Sequence, residues 1–429
     1  MVTTIIVIVF VLGYLNIAME SVLKINKAAF SLAMCVVCWA LFAFGGYAGD
    51  NLNEVLGRNL GDAGTTIFFL MGAMTIVELV DQYGGFNFVS TALQSKSKRA
   101  LLWKMSLMTF FLSAVLDNLT TTIVMLMILR KLVSDHKDRV IYASMVILAA
   151  NSGGAFSPIG DVTTIMLWNG GMISSLGVIK EIIVPSMASC LIPTAILQYR
   201  LKGDLMPVQV AEEKTELQAN SPFKRRLVFI LGVGGLCSVP VFHGLTGLPP
   251  FMGILLVLCI LWMITDLFYY HNETPGKRIV DMLSRIDMST ILFFLGILMA
   301  VSTLAEVGVL QAVGTWLDKE VGNHYMVTGI IGLLSSVVDN VPLVAGSMRM
   351  YPIALSGDMA MDGIFWQLLA YCAGVGGSLL IIGSAAGVVT MGLEKITFGW
   401  YMKHITWVAL VGYLAGMLIY WLEKAVIGL

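Results

Sequence analysis

Ten apolar runs, most of them close to 20 residues long, restrict this chain to very few folds, because a run of that length matches the roughly 30 Å hydrocarbon core of a bilayer. They are 3–19, 28–48, 63–80, 140–168, 178–199, 227–242, 251–270, 288–304, 363–392 and 400–422. Charged residues make up only 12% of the 429 positions and hydrophobic ones 58%, whereas a soluble domain carries about 25% charge. In lipid every backbone polar group needs an internal partner, so the expectation is an all-α polytopic membrane protein.

Two further apolar segments, 101–129 and 325–351, are interrupted near their middles by the same dipeptide. Ser113-Ala-Val-Leu-Asp117-Asn118-Leu-Thr120-Thr121-Thr122 lies in the first, and Ser335-Ser336-Val-Val-Asp339-Asn340-Val-Pro342 in the second, with Asp339 following Asp117 by 222 residues. An ionisable side chain near a bilayer centre costs on the order of 2.5 kcal/mol or more and so marks a function by default.

Loop charge decides how these segments lie. Lys96, Lys98, Arg99 and Lys104 precede the first, and Arg130, Lys131, Lys137 and Arg139 follow it. A single crossing would leave one basic cluster outside, against the positive-inside tendency, whereas a re-entrant hairpin keeps both inside. The second segment, flanked by Asp318, Lys319, Glu320 and by Arg349, Asp358, Asp362, suits a hairpin entered from outside. With two hairpins and ten spanning helices, 21 of the 26 Lys and Arg residues fall on the cytoplasmic side, and both termini are expected in the periplasm.

The hairpins belong to a longer repeat. Thr66-Ile-Phe-Phe-Leu-Met-Gly72 matches Thr290-Ile-Leu-Phe-Phe-Leu-Gly296, and Asn151-Ser-Gly-Gly-Ala-Phe-Ser157-Pro158-Ile-Gly160-Asp161 matches Gly374-Val-Gly-Gly-Ser378-Leu-Leu-Ile-Ile-Gly383-Ser384. Five crossings per half invert the second copy, the inverted-topology repeat common in secondary transporters. The expected division is 1–200 for the first repeat, with a cytoplasmic-side hairpin at 100–132, a broken helix at 140–168 and a helix at 178–199. A polar cytoplasmic linker follows at 201–226. The second repeat, 227–429, has scaffold helices across 227–304, an outer-side hairpin at 324–351, a broken helix at 363–392 and a helix at 400–422.

Glycine-rich stretches inside membrane helices leave backbone groups unpaired, which is tolerated only beside a protein cavity or a bound ion. Asp117, Asn118, Thr120, Thr121, Asn151, Ser157, Asp161, Thr163 and Thr164 therefore have reason to converge near mid-membrane. Their carboxylates, amides and hydroxyls are hard oxygen donors, suited to Na⁺ or Li⁺ and poor for a soft metal. A carboxylate in a partly apolar cavity holds a proton more readily and releases it when a cation arrives. One site alternating between H⁺ and Na⁺ couples two gradients. Asp117, Asp339 and Asp161 are also placed to cap the helices that follow them, a role compatible with ion binding. Thr122 and Ser113 are equally suited to hydrogen-bonding the backbone.

The six cysteines all lie in apolar runs, and the CxxC of Cys35 and Cys38 reads as two small apolar side chains on one helix face. No histidine falls at mid-membrane. A net charge of −1 gives no reason to expect a nucleic-acid partner.

The motifs at 113–121, 151–164 and 335–342 together resemble the NhaD-type sodium/proton antiporters of the ion transporter superfamily, with the same repeat order and spacing along essentially the whole chain. The resemblance implies a homodimer in the bacterial inner membrane that exchanges cytoplasmic Na⁺ or Li⁺ for external H⁺, most active at alkaline pH and needing no cofactor. It also implies an elevator mechanism, in which hairpins and broken helices slide against a scaffold. Carried over by position, its site residues are Asp117, Asn151, Asp161, Thr163, Thr164, Ser335 and Asn340, with Ser378 and Ser384 matched less closely. The resulting hypothesis makes Asp117 and Asp161 the cation and proton site, coordinated further by Asn151, Thr163 and Thr164 and closed from the second half by Asn340 with Ser335 or Ser384. Na⁺ or Li⁺ would be held by Asp117, Asp161, Asn151 and Asn340.

Two other classes fit less well. A Na⁺-coupled anion or dicarboxylate carrier on this fold needs a basic or amide-rich pocket, and no Lys or Arg lies near the Asp-Asn tips. An intramembrane aspartyl protease is expected to show Gly-x-Gly-Asp, where this chain has Pro158-Ile-Gly160-Asp161.

Overall fold

A computed structural model describes residues 1–205, 222–272, 279–337 and 339–427. The linker charges Glu212, Glu213, Lys214 and Glu216, and the loop residues Lys277 and Arg278, lie outside the described residues. What is described is almost entirely helical. The main helices of the first part are α1 (Val2–Ala18), α2 (Lys27–Phe44), α3 (Leu52–Gln82), α4 (Asn87–Leu93), α5 (Lys98–Ser113), α6 (Asn118–Leu132), α7 (His136–Ala155), α8 (Val162–Asn169) and α9 (Ser175–Leu197). The second part contributes α10 (Pro222–Thr246), α11 (Pro250–Asn272), α12 (Met288–Glu306), α13 (Val309–Glu320), α14 (His324–Leu334), α15 (Asn340–Met350), α16 (Ile364–Gly376), α17 (Ala385–Glu394), α18 (Phe398–His404) and α19 (Thr406–Leu422).

Among the described residues seven helices are long and apolar enough to cross a membrane, and they correspond to seven of the ten runs read from the sequence. Of the other three runs, the first is the 17-residue α1. The remaining two are each a pair of shorter helices, α7 and α8 or α16 and α17, separated by residues 156–161 and 377–384. Both breaks fall where glycine-rich sequence put them. The run 400–422 is also interrupted, at Ile405 between α18 and α19. The short α4 and α13 have no counterpart in the sequence reading, because neither is long nor uniformly apolar.

Packing divides the helices into two groups. In one, α1 lies on α2, α2 on α12, α12 on α3, α3 on α11 and α10, and α10 on α11. In the other, α5 and α6 pack on α7, α14 and α15 on α16, and α9 and α19 lie side by side against α7 and α16. The groups meet where α8 touches α3 and α15 touches α12.

Small residues explain the tightest contacts. A Cβ on Gly153 would collide with the Phe110 carbonyl oxygen, and one on Gly376 with that of Gly332. Only glycine lets α5 and α14 lie so flush against α7 and α16. The α9 and α19 pair uses the same device: Gly412 faces the Ser189 carbonyl and Gly416 the Pro185 carbonyl, a Gly-x-x-x-Gly spacing typical of close membrane-helix contacts.

Candidate functional site

Four helices begin at one place in the second group. Asp117 caps α6, Asp339 caps α15, Asp161 caps α8 and Ser384 caps α17, each accepting a hydrogen bond from a backbone N–H of the first turn. Capping residues of this kind are what the four exposed N–H groups of a helix start require. Converging N-termini also bring positive helix-dipole ends together, which favours negative charge between them. Each of these helices follows a break after α5, α7, α14 or α16.

Asp161 occupies the centre. It is 1% exposed, and its Oδ1 accepts the backbone N–H and the hydroxyl of Thr163, both at 2.9 Å. Its Oδ2 accepts the Asn118 amide at 2.6 Å. The Asn340 amide reaches both oxygens at 3.3 Å, so the two Asp-Asn tips contribute one amide each to a single carboxylate. The Asn118 amide also donates to Asn151 Oδ1 at 3.0 Å, and Asn151 in turn donates to Ser384 Oγ at 3.0 Å. Residues from both halves of the chain thus form one buried network. None of its side chains is cationic.

The structure brings Asn118, Asn151, Asp161, Thr163, Asn340 and Ser384 into this network. Thr164 supports it from behind, its hydroxyl donating to the Asp161 carbonyl at 2.9 Å and accepting the Asp161 N–H at 3.3 Å. Ser335 and Ser378 are turned to the backbone, donating to Ala373 and Val375, as Ser113 and Thr122 do to Ala150 and Asn118. Ser157 accepts the N–H of Ile159.

The two tip carboxylates face elsewhere. Asp117 accepts the N–H and the hydroxyl of Thr120 at 2.8 and 2.6 Å and borders a small crevice with Phe69, Leu70 and Ala73 of α3 and Leu236 of α10. No hydrogen bond joins it to Asp161 among the described residues. Asp339 lies against the opposite helices: its N–H donates to the Tyr14 hydroxyl at 2.8 Å and its carboxylate is 3.8 Å from Lys27 Nζ. Among the described residues no cluster of three or more His, Cys, Asp or Glu side chains is placed to hold a metal ion. The donors around Asp161 are instead one carboxylate, amides and hydroxyls, a set that fits a transported alkali cation.

One arrangement was not foreseen in the sequence. Glu394, 1% exposed, ends α17 and is clamped by Arg130 Nε and Arg139 Nε, each at 2.7 Å. Arg130 also donates to the Leu393 carbonyl and His136 contacts that of Glu394. The clamp ties α6 and α7 to α17 across the halves. A glutamate at the end of an apolar run was its only trace in the sequence.

A family profile described as citrate transporter matches residues 14–371. Sodium/proton antiporter 1 of Arabidopsis thaliana is 42% identical over 96% of this chain and 71% of its own length, and sodium/proton antiporter 2 of the same plant is 40% identical over 96% and 98%. The Na⁺/H⁺ antiporter NhaD of Vibrio cholerae serotype O1 is 30% identical over 96% of this chain and 90% of its own. Among solved structures, the YdaH transporter of Alcanivorax borkumensis superposes with a TM-score of 0.62 over 94% of this chain and 98% of that one, at 13% identity, a likeness of fold alone. With helices of membrane-spanning length and these relatives, the chain is a multi-pass membrane protein that belongs to the citrate-transporter family and, within it, to the NhaD-type antiporters.

Proposed function

We propose that the protein exchanges Na⁺ or Li⁺ for H⁺, and that Asp161 carries whichever ion is bound. The observation that carries this reading is a carboxylate buried among neutral donors with no cationic side chain in its network. Burying such a charge uncompensated is costly, and a proton or a cation removes the cost. The amides of Asn118 and Asn340 donate N–H to Asp161 in the structure and also carry oxygens of the hard kind that such a cation takes. A single carboxylate that takes one ion or the other makes the two compete.

In this reading α5–α6 and α14–α15 are re-entrant hairpins of an inverted repeat with ten spanning helices. The pairing of α1–α2 with α10–α11, of α5–α7 with α14–α16 and of α8–α15 with α17–α6 in matched contacts supports it. The group holding Asp161 is the moving part of an elevator and the α1–α3, α10–α12 group its scaffold, on which a homodimer is built. The inner membrane is its location, with both termini outside. Asp117 and Asp339, each turned toward the scaffold, act at the sliding surface rather than on the ion. The sodium/proton antiporters among its relatives support the choice of ions.

Reconstitution in liposomes with an internal pH dye tests the proposal directly. Adding Na⁺ or Li⁺ is expected to move protons, adding citrate or succinate is not, and Asp161→Asn is expected to abolish the response. Proton movement that needs an organic anion would assign the site to carboxylate transport instead.

A further inference from the structure

A second polar chamber lies between the two helix groups. It is a cavity of about 410 Å³ lined by Asn59, Asp62 and Thr66 of α3, Asn169 of α8, Ser302 of α12 and Arg349 of α15. Asn59 is 1% exposed, and its Nδ2 donates to the Val55 carbonyl and to Glu306 Oε1, both at 2.9 Å. Both partners only accept, so the orientation of the amide is fixed. Among the described residues its Oδ1 is left buried with no partner, and so are both polar atoms of the Asn169 amide. Buried polar atoms without partners are uncommon and ask for a ligand.

The sign of that ligand follows from what surrounds it. Arg349 pairs with Asp62 at 2.9 Å, so the one carboxylate and the one guanidinium lining the chamber cancel. The remaining unpartnered atoms are neutral: the amide oxygens of Asn59 and Asn169 and the Asn169 Nδ2 group. Both α8 and α15 also terminate here, with Asn169, Gly170, Met348 and Arg349 on the wall, and carbonyl ends of helices favour cations. Since α8 starts at Asp161, the chamber lies one short helix, roughly 12 Å, from the buried carboxylate.

We infer that this chamber is an outer waiting site for a partly hydrated alkali cation, Na⁺ or Li⁺, held by the side-chain oxygens of Asn59 and Asn169. The inference rests on the exchange reading and names the second station of the same path. Arg349 on α15 and Asp62 on α3 close its rim across the two helix groups.

Asn169→Leu is the informative variant, because its amide has no hydrogen bond to lose and an apolar replacement leaves folding intact or improves it. Na⁺-driven proton flux is measured in right-side-out and in everted membrane vesicles, which expose opposite faces. The half-saturating Na⁺ concentration is expected to rise about fivefold on the outer face only, with Asn59→Leu giving the same shift, and a rise on the inner face alone would contradict the site. An unchanged value, an equal shift on both faces, or a shift that appears only with chloride and not with gluconate would overturn the site. Broadening of the ²³Na resonance by the purified protein reads the chamber without any flux. Asp161→Asn should leave a component of it that Asn169→Leu removes, and loss of both components in Asp161→Asn would also overturn the site. A wild type that broadens the resonance yet moves no protons would refute the exchange reading alone.

Discussion

At the residue scale, the proposed site is built from one of two adjacent side chains at each tip. Asp117-Asn118 and Asp339-Asn340 both stand out in the sequence because polar groups are costly in apolar surroundings. At each tip the aspartate stays outside as the cap and the asparagine, the first helical residue, turns in to Asp161. That choice is made by the backbone angles of a single capping residue, which no hydrophobic pattern encodes, and so the sequence reading put Asp117 beside Asp161 where the structure puts Asn118. The burial of Asp161 agrees with a carboxylate placed in a glycine-rich break of an apolar run. Asparagine caps a helix as well as aspartate does, so Asp117→Asn is expected to keep the fold and the Na⁺ affinity within about twofold while slowing turnover, read from initial rates at varied Na⁺. Asn340→Ala, which removes one donor from Asp161, is expected to change the half-saturating Na⁺ and to leave thermal stability nearly unaltered. Glu394→Ala isolates two arginines from their buried partner and is expected to destabilise by roughly 2–4 kcal/mol, seen as a lower melting temperature with α17 the first element to lose hydrogen-exchange protection.

Elements show how much a pattern of apolar runs can say. The seven long helices and both broken ones were legible because lipid permits so few backbone arrangements. What could not be read was tight packing between elements distant in sequence. Gly412 and Gly416 are separated by one helical turn in an apolar run, and nothing in that run shows that Pro185 and Ser189 press against them. A side chain larger than hydrogen at Gly416 would meet the Tyr371 hydroxyl and the Pro185 carbonyl. Gly416→Leu is therefore expected to separate α19 from α9 and lower the melting temperature, whereas the same change at Gly399, with nothing within 4 Å, is expected to be tolerated. Similar melting temperatures for the two would contradict the packing account.

Over the whole molecule, the two helix groups share one apolar core that a few polar contacts cross. Lys27 and Tyr14 reach the second tip at Asp339, and Asp62 reaches Arg349. Under the proposed elevator, polar contacts of this kind would be exchanged as one group slides past the other. The sequence implied two halves through its repeats, yet the working division runs across them, since each half supplies helices to both groups. Charge counting cannot see that division, because it reports sides of a membrane and not neighbours within it. The central claim is that a cation and a proton compete for Asp161. Titration calorimetry of Na⁺ into the purified protein, repeated in buffers of different ionisation enthalpy, counts the protons released as Na⁺ binds. The account predicts a release near pH values where Asp161 holds its proton, and a loss of that release in Asp161→Asn. Na⁺ binding with no proton released at any pH, or a release undiminished in Asp161→Asn, would contradict it.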